Sequence, residues 1–175
     1  MPMERTVALK GQPLPLEGPQ LSAGMEAPDF RLHQKTPAGL RDVSLKDFRG
    51  EVLVICSVPS LDTRVCAKEA VTCNTMAVDL PESVHVLFVS TDLPFTQERF
   101  CAKENLLRIS TASDHRDVSF GRAYGVLIPS LRILARAAFV VGLDRRLLHA
   151  EYLPELTHEP DYQALFTAAK CAIVG

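Results

Sequence analysis

Two uninterrupted apolar runs flank a segment with helical spacing in the middle of the chain, and this feature constrains the fold most. The runs are EVLVICS (51–57) and VHVLFVS (84–90), which are typical of strands buried on both faces. Between them, residues 66–80 place apolar side chains three or four positions apart, which predicts a helix with one buried face. A strand, a helix and a strand in this order predict a parallel pair of strands joined by a crossover helix.

Weaker signals predict the other elements. A hairpin is expected around Gly11 and Gln12, and residues 92–105 predict a helix with Asp92 as its N-cap. The remaining predictions, in chain order, are a coil with one short strand (19–37), a short helical turn (43–50), a short helix (117–126), two strands joined near Gly142–Arg146 (137–153) and a closing helix with Pro160 in its first turn (159–174).

The order of these elements indicates the fold class. A β-α-β unit followed by a β-β-α unit is the order of a thioredoxin-like α/β fold, in which helices flank a central mixed sheet. The length of 175 residues fits one domain, residues 1–175, of which about 1–18 form an N-terminal hairpin extension.

Composition excludes several classes of partner. The chain has 19 Lys and Arg against 21 Asp and Glu, so it has no cationic surplus for binding nucleic acid or an anionic bilayer. No apolar run approaches the roughly 18 residues that a membrane span needs. The N-terminal stretch carries Glu4 and no long apolar segment, so we expect no signal peptide and a cytoplasmic protein.

The five cysteines do not indicate a structural framework. Their number is odd and no two form a CxxC pair, which argues against a zinc ribbon and a thioredoxin-type dithiol, and a secreted disulfide scaffold would be shorter and richer in cysteine. Cys66, Cys73 and His85 also match no usual zinc spacing, so we expect neither a metal nor a cofactor. Cys56 and Cys171 are expected to pack in the core, and Cys73 either packs there or serves as a backup thiol.

The segment VPSLDTRVC (58–66) joins the first apolar strand to its helix. Pro59 ends the strand, and Thr63 as the N-cap would place Cys66 in the first helical turn. Unpaired N–H groups and the helix dipole favour a thiolate there. Two interpretations stay open at this point: Cys66 is reactive or it packs as a small apolar residue. The Thr63 hydroxyl, likewise, either caps the helix or hydrogen-bonds the sulfur.

The motif PSLDTRVC resembles the active-site pattern Pro-x-x-x-Thr-x-x-Cys of the peroxiredoxins, and more narrowly that of the bacterial thiol peroxidases. Other stretches are similar to the same branch over nearly the whole chain. They are TVALKGQPL at the N-terminus, STDLPFTQERFC (90–101), LARAAFVV (134–141) and LTHEPDYQALF (156–166).

The resemblance implies a role for each matching residue. Cys66 would be the peroxidatic cysteine, which forms a sulfenic acid, and Cys101 the resolving cysteine of an intramolecular Cys66–Cys101 disulfide. Thr63 and Arg136 would contact the sulfur and the peroxide, and Pro59 would shield the thiolate from water. The implied enzyme is a homodimer that reduces hydrogen peroxide and organic hydroperoxides and is recycled by thioredoxin. A peroxide sensor that uses the same cysteines is the alternative.

These roles make electrostatic and geometric demands. A guanidinium ~4 Å from the sulfur would attract a thiolate by about 4 kcal/mol at an effective dielectric of ~20, more than the ~0.3–2 kcal/mol of a helix terminus. A disulfide needs Cα atoms within about 7 Å, and the two cysteines lie on successive predicted helices. We therefore expect local unwinding on oxidation. Asp62 and Glu69 are expected to be solvated, and Arg64 points either inward or outward.

Overall fold

The computed structural model describes residues 4–174; residues 1–3 and 175, which the predicted domain includes, lie outside the described residues. The strands are β1 (Thr6–Leu9), β2 (Gln12–Pro15), β3 (Leu32–Thr36), β4 (Gly39–Val43), β5 (Val52–Ser57), β6 (Val84–Ser90), β7 (Ser110–Ser113), β8 (Leu127–Ile128), β9 (Ile133–Leu134), β10 (Ala137–Val141) and β11 (Leu147–Tyr152). The helices are α1 (Arg64–Ala77), α2 (Pro94–Lys103), α3 (Ser119–Ala123) and α4 (Tyr162–Val174), together with a 3-10 turn (Leu45–Phe48).

Seven strands form the central sheet in the order β11-β10-β5-β6-β7-β3-β4. The pairs β5–β6 and β6–β7 are parallel, and the outer pairs are antiparallel. The register opposes Ser57 to Ala137 and to Val89. The end of β5, the end of β6 and the start of β10 therefore lie side by side. The mixed sheet with its parallel β-α-β unit confirms the prediction from the two apolar runs.

The sheet is buried on both faces at its centre, where strands β5, β6 and β10 are apolar at most positions. Side chains of β5 alternate between two clusters: Leu53 and Ile55 face one, and Val54 and Cys56 face the other. Helices α1 and α4 cover the Val54 side, whereas α3 and the N-terminal segment cover the Leu53 side. The site loops therefore rest on a scaffold that is packed on both faces.

The N-terminal hairpin β1–β2 confirms the prediction around Gly11. Lys10 and Gly11 both have a positive φ, 49° and 81°, as a two-residue hairpin turn requires. The hairpin docks against the segment after β11: Ala8 donates its N–H to the carbonyl of Pro154 at 2.9 Å and accepts from the N–H of Leu156 at 2.9 Å. The hairpin is thus fixed to the segment that contains Leu156.

Several predictions made from the sequence were wrong in detail. The 3-10 turn Leu45–Phe48 lies within the predicted helical turn (43–50), and β3 lies within the stretch 19–37, where one short strand was expected, whereas strands β4 and β7 were not predicted. Strands β4 and β7 consist largely of polar or small residues, so they carry no apolar run. Pro160 precedes α4 and does not lie in its first turn. Within residues 4–174, none of the helices has the length and apolar character that crossing a membrane requires.

Candidate active site

Cys66 lies in the first turn of α1, completely buried, directly after the loop of residues 58–63 (the motif loop). Thr63 is the N-cap of this helix, as predicted, and its hydroxyl oxygen accepts from the backbone N–H of Cys66 at 3.4 Å. The same hydroxyl donates to the carbonyl oxygen of Ser60 at 3.0 Å. Of the two arrangements considered for Thr63, the structure therefore contains the helix cap.

Arg136 directly precedes β10 and is buried, so that its guanidinium lies within the protein next to the sulfur of Cys66. Its Nη2 donates to Sγ of Cys66 at 3.1 Å and to the carbonyl of Leu156 at 3.0 Å. Its Nε donates to the same carbonyl at 3.1 Å. These contacts fix the orientation of the guanidinium before any substrate is present, and they place a positive charge where it favours a thiolate.

Glu69 overturns the prediction that this side chain is solvated. It is fully buried one helical turn after Cys66, and its Oε2 accepts from Nη1 of Arg136. Burial raises the pKa of Glu69 to about 7, against the attraction of Arg136. Burial alone would lower the pKa of Arg136, but Glu69 and Cys66 more than offset it, and the net shift is upward. A buried cation thus stands between a carboxyl group and a thiol.

Glu69 was recognisable in part from its position. It follows Cys66 by three residues, and Ala70 and Cys73 lie on the same buried face of α1. A charged residue within an apolar stripe signals either a solvated edge of the helix or a buried partner of opposite charge. Asp62, by contrast, is exposed, as predicted.

Asp92 has a different role from the predicted helix cap. Leu93 is the N-cap of α2, and Pro94 opens the helix. The carboxylate of Asp92 instead accepts from the hydroxyl of Ser60 at 2.7 Å and from the backbone N–H of Leu61 at 2.9 Å. Asp92 therefore ties the motif loop to the turn between β6 and α2.

A cleft of about 240 Å³ opens beside the motif loop and Arg136, whose guanidinium contacts the buried thiol. Its walls are mainly apolar and include Pro59 of the motif loop and Leu156, and Thr63 and Arg136 are among its polar lining residues. Arg64 also lines the cleft and its side chain is exposed, which favours the outward orientation of the two considered. A small polar group attached to an apolar chain would fit this lining.

Cys101 is half-buried in the last part of α2, and the five cysteines, all within the described residues, are free thiols. Burial raises the pKa of the Cys101 thiol, and a hydrogen bond with Thr111 offsets part of this effect. Cys101 and Cys66 both contact the apolar cluster between α1 and the sheet. The structure thus brings them to one side of the sheet but does not join them.

The other cysteines lie outside this arrangement. Cys56 and Cys73 are fully buried, and a hydrogen bond with Cys73, together with burial, raises the pKa of Cys56 well above its usual value. Cys171 is exposed on α4, contrary to the expectation that it packs in the core. Among residues 4–174, no three His, Cys, Asp or Glu side chains are grouped closely enough to hold a metal ion.

Comparisons with known proteins agree with this geometry. The family model described as Redoxin matches residues 22–166. The thiol peroxidase of Halalkalibacterium halodurans is 44% identical over 168 residues, which cover 96% of this chain and 99% of that protein. The thiol peroxidase of Bacillus subtilis is 40% identical over 167 residues, which cover 95% of this chain and 98% of that protein.

A solved structure extends the similarity to three dimensions. The crystal structure of a peroxiredoxin-like protein from Aquifex aeolicus superposes with a TM-score of 0.85 at 38% identity, covering 95% of this chain and 96% of that chain. This similarity confirms the predicted thioredoxin-like fold. The chain therefore belongs to the redoxin family, as a peroxiredoxin of the thiol peroxidase type.

Proposed function

We propose that this thiol peroxidase reduces hydrogen peroxide and organic hydroperoxides at Cys66 and forms an intramolecular Cys66–Cys101 disulfide that thioredoxin reduces. The observation that carries the proposal is the 3.1 Å hydrogen bond from Nη2 of Arg136 to the Cys66 sulfur in the first turn of α1. A buried guanidinium and a helix N-terminus both stabilise a thiolate, which is the reactive form in peroxide reduction.

The first step oxidises the sulfur. The Cys66 thiolate attacks the terminal oxygen of the hydroperoxide, so that an S–O bond forms while the O–O bond breaks. Cys66 becomes a sulfenic acid, and the leaving alkoxide or hydroxide takes a proton from solvent and departs as an alcohol or water. Arg136 stabilises the charge that develops on the leaving oxygen, because it is already oriented by the Leu156 carbonyl.

Thr63 and Pro59 shape the approach to the sulfur. Both line the apolar cleft next to Cys66, through which we propose that the hydroperoxide enters. Thr63 caps the helix through its hydroxyl and also lines the cleft, so a rotation of the hydroxyl would let it bind a peroxide oxygen. Pro59 offers no N–H and excludes water from one side of the sulfur.

The second step forms the disulfide. The Cys101 thiol attacks the sulfenic sulfur, an S–S bond forms, and the hydroxyl group leaves as water. Both cysteines lie within helices of the reduced structure, so the first turn of α1 or part of α2 must unwind before their Cα atoms come within about 7 Å. Burial of Cys101 keeps it weakly nucleophilic until that change occurs.

The third step restores the two thiols. Thiol–disulfide exchange with the dithiol of thioredoxin transfers two electrons and returns Cys66 and Cys101 to their starting state. Such recycling suits the reducing cytoplasm, where we propose that the protein works. Leu93 and Phe95 are about half exposed at the start of α2, next to the motif loop, and we propose them as part of a homodimer contact.

A coupled assay tests the catalytic cycle. The chain is mixed with thioredoxin, thioredoxin reductase, NADPH and hydroperoxide, and sustained NADPH consumption is expected. Cys66→Ser and Cys101→Ser should both abolish sustained turnover, whereas Cys171→Ser is a matched control that should retain it. Stoichiometric oxidation without continued NADPH consumption would contradict the enzyme cycle and support the peroxide sensor.

Peptide mapping tests the disulfide directly. After one equivalent of peroxide, digestion under non-reducing conditions should yield a linked pair of peptides that contain Cys66 and Cys101. A lasting Cys66 sulfenate without that link would remove Cys101 from the mechanism.

A further inference from the structure

We propose that Asp92 is a positioning residue that latches the motif loop to α2, and that release of this latch lets Cys66 and Cys101 meet. The inference rests on the proposed function, because it concerns the oxidation of Cys66 and the disulfide step that follows.

The contacts of the Asp92 carboxylate define the latch. Its Oδ1 accepts from the hydroxyl of Ser60 at 2.7 Å, and its Oδ2 accepts from the N–H of Leu61 at 2.9 Å and from the hydroxyl of Ser90 at 2.6 Å. Hydrogen bonds to an ionised carboxylate are stronger than those between neutral groups. The irregular motif loop is therefore held by one side chain from another part of the chain.

From this loop the hydrogen bonds lead to the peroxidatic sulfur. The carbonyl of Ser60 accepts from both the N–H of Thr63, at 3.1 Å, and its hydroxyl, at 3.0 Å. The oxygen of that hydroxyl caps the N–H of Cys66. The position of Ser60, which Asp92 fixes, thus determines the position of the helix cap and of the helical turn that contains Cys66.

In the other direction the contacts lead to the helix of Cys101. The hydroxyl of Ser90 accepts from Nε2 of Gln97 at 3.0 Å, and this amide also donates to the carbonyl of Ala112 at 3.0 Å. Gln97 is buried on α2, four residues before Cys101 and therefore on the same helix face. Asp92 consequently stands between the two cysteine-bearing elements and is hydrogen-bonded toward both.

This placement gives the latch opposite effects on the two steps. The reaction with peroxide needs the cap, the sulfur and Arg136 held in alignment, which a fixed loop provides. Disulfide formation needs the same loop to loosen, since the two cysteines lie within separate helices. Loss of the latch should therefore slow the first step and accelerate the second.

The variant Asp92→Asn separates these effects. Asparagine keeps one acceptor oxygen, but its NH2 group replaces the other oxygen. This group faces the donors from which that oxygen accepts hydrogen bonds in the unsubstituted chain. Asp114→Asn is the matched control, because Asp114 also follows a strand of the parallel set and its carboxylate accepts from the N–H groups of Phe120 at 3.1 Å and Gly121 at 2.8 Å. The contacts of this carboxylate stay within the α3 region; only the backbone N–H of Asp114, which the substitution leaves in place, reaches the carbonyl of Ser90 at 2.9 Å.

Two rate constants are measured for each chain. Rapid mixing with hydrogen peroxide in a Cys101→Ser background, quenched with dimedone, gives the rate of sulfenate formation. The same mixing with Cys101 present, at a peroxide concentration high enough that sulfenate formation is not limiting, is quenched with acid and alkylated and gives the rate of disulfide formation. Mass spectrometry is the readout, because the chain has no tryptophan to report these steps by fluorescence.

We expect Asp92→Asn to slow sulfenate formation about tenfold and to accelerate disulfide formation several-fold, the scale of losing one charge-assisted hydrogen bond. Asp114→Asn should leave the ratio of the two rates unchanged. Any result in which disulfide formation is not accelerated overturns the latch, including a parallel fall of both rates. Ser60→Ala, which removes a single donor, should shift both rates in the same directions and replaces Asp92→Asn if that chain fails to fold.

The unsubstituted chain distinguishes failure of the latch from failure of the proposed function. If it forms no sulfenate or no Cys66–Cys101 disulfide, the proposed cycle and the latch both fail. If it forms both and Asp92→Asn does not shift the two rates in opposite directions, the latch alone is overturned.

Discussion

Glu69 and Arg136 form an ion pair whose two side chains are almost completely excluded from solvent, at 0% and 1% exposure. The pair spans 67 residues of sequence and joins the middle of α1 to the start of β10. One guanidinium thereby faces a carboxyl group with one terminal nitrogen and the Cys66 sulfur with the other. Glu69 thus helps to hold the guanidinium in place, and the charge of the guanidinium lies next to the Cys66 sulfur.

Replacing Arg136 by Met should impair both activity and stability. Loss of one preorganised donor at developing charge is expected to reduce kcat/KM for hydroperoxide by about 10²–10³-fold. Leaving Glu69 without its partner is expected to cost about 3–5 kcal/mol where the carboxyl stays ionised. Steady-state kinetics and urea denaturation measure the two effects. Arg132→Met is the control, since Arg132 is exposed, and wild-type kinetics in Arg136→Met would refute the assignment.

Glu69 should make the stability of the protein depend on pH. The folded chain holds the proton of Glu69 with a pKa of about 7 against an ordinary value of 4.5, so it binds more protons than the unfolded chain between these values. Stability should therefore fall as the pH rises through this window and level off above it. The total change is on the order of 3 kcal/mol.

Glu69→Gln is the variant that checks this pH dependence. Glutamine keeps an acceptor for Arg136 but does not titrate, so the fall in stability should disappear. The free energy of unfolding, measured by urea denaturation on both sides of the window, gives the comparison. An identical pH profile in the two chains would mean that another group causes the dependence.

The contribution of the Thr63 hydroxyl to stability and to the rate of sulfenate formation can be separated from that of the side chain's shape. Thr63→Val keeps the volume but removes the acceptor for the N–H of Cys66, which should cost about 1 kcal/mol and slow sulfenate formation. Thr63→Ser keeps the hydroxyl and should retain most of both properties. Thermal unfolding and the rate of sulfenate trapping provide the measurements. Equal behaviour of the two variants would show that the hydroxyl is dispensable.

The buried thiols Cys56 and Cys73 are expected to take no part in the peroxidase reaction. Cys73→Ala is expected to cost about 1 kcal/mol, an ordinary loss for one substitution, and to keep full peroxidase turnover. Native alkylation followed by mass spectrometry should modify the exposed Cys171 rapidly, and Cys56 and Cys73 only when the protein unfolds. A loss of turnover in Cys73→Ala would instead support the backup role.

The parts of the fold that could be predicted are those whose signal is local. Strands β5 and β6, the helix α1 and the hairpin β10–β11 follow from apolar runs, helical spacing and a turn. Strands β4 and β7 escaped prediction because their residues are largely polar or small, so neither carries an apolar run.

The candidate site also contains features that neighbouring residues predict and features that depend on residues distant in the sequence. Thr63 as the cap and Cys66 in the first turn follow from neighbouring residues. The burial of Glu69 depends on Arg136, and the contacts of Asp92 depend on a loop about thirty residues earlier. A charged side chain looks solvated, and an aspartate before a helix looks like a cap, until the distant partner is known.

The N-terminal hairpin supports the reactive centre through a single carbonyl group. The backbone of Ala8 is hydrogen-bonded to Pro154 and Leu156, on either side of Glu155. The carboxylate of Glu155 in turn accepts hydrogen bonds from the backbone N–H groups of Lys10 and Gly11. The next carbonyl, that of Leu156, is the one that receives two donors from Arg136. A pair of strands without a residue in the motif loop therefore supports the carbonyl that orients Arg136, and removing these strands should weaken any activity that depends on the orientation of this guanidinium.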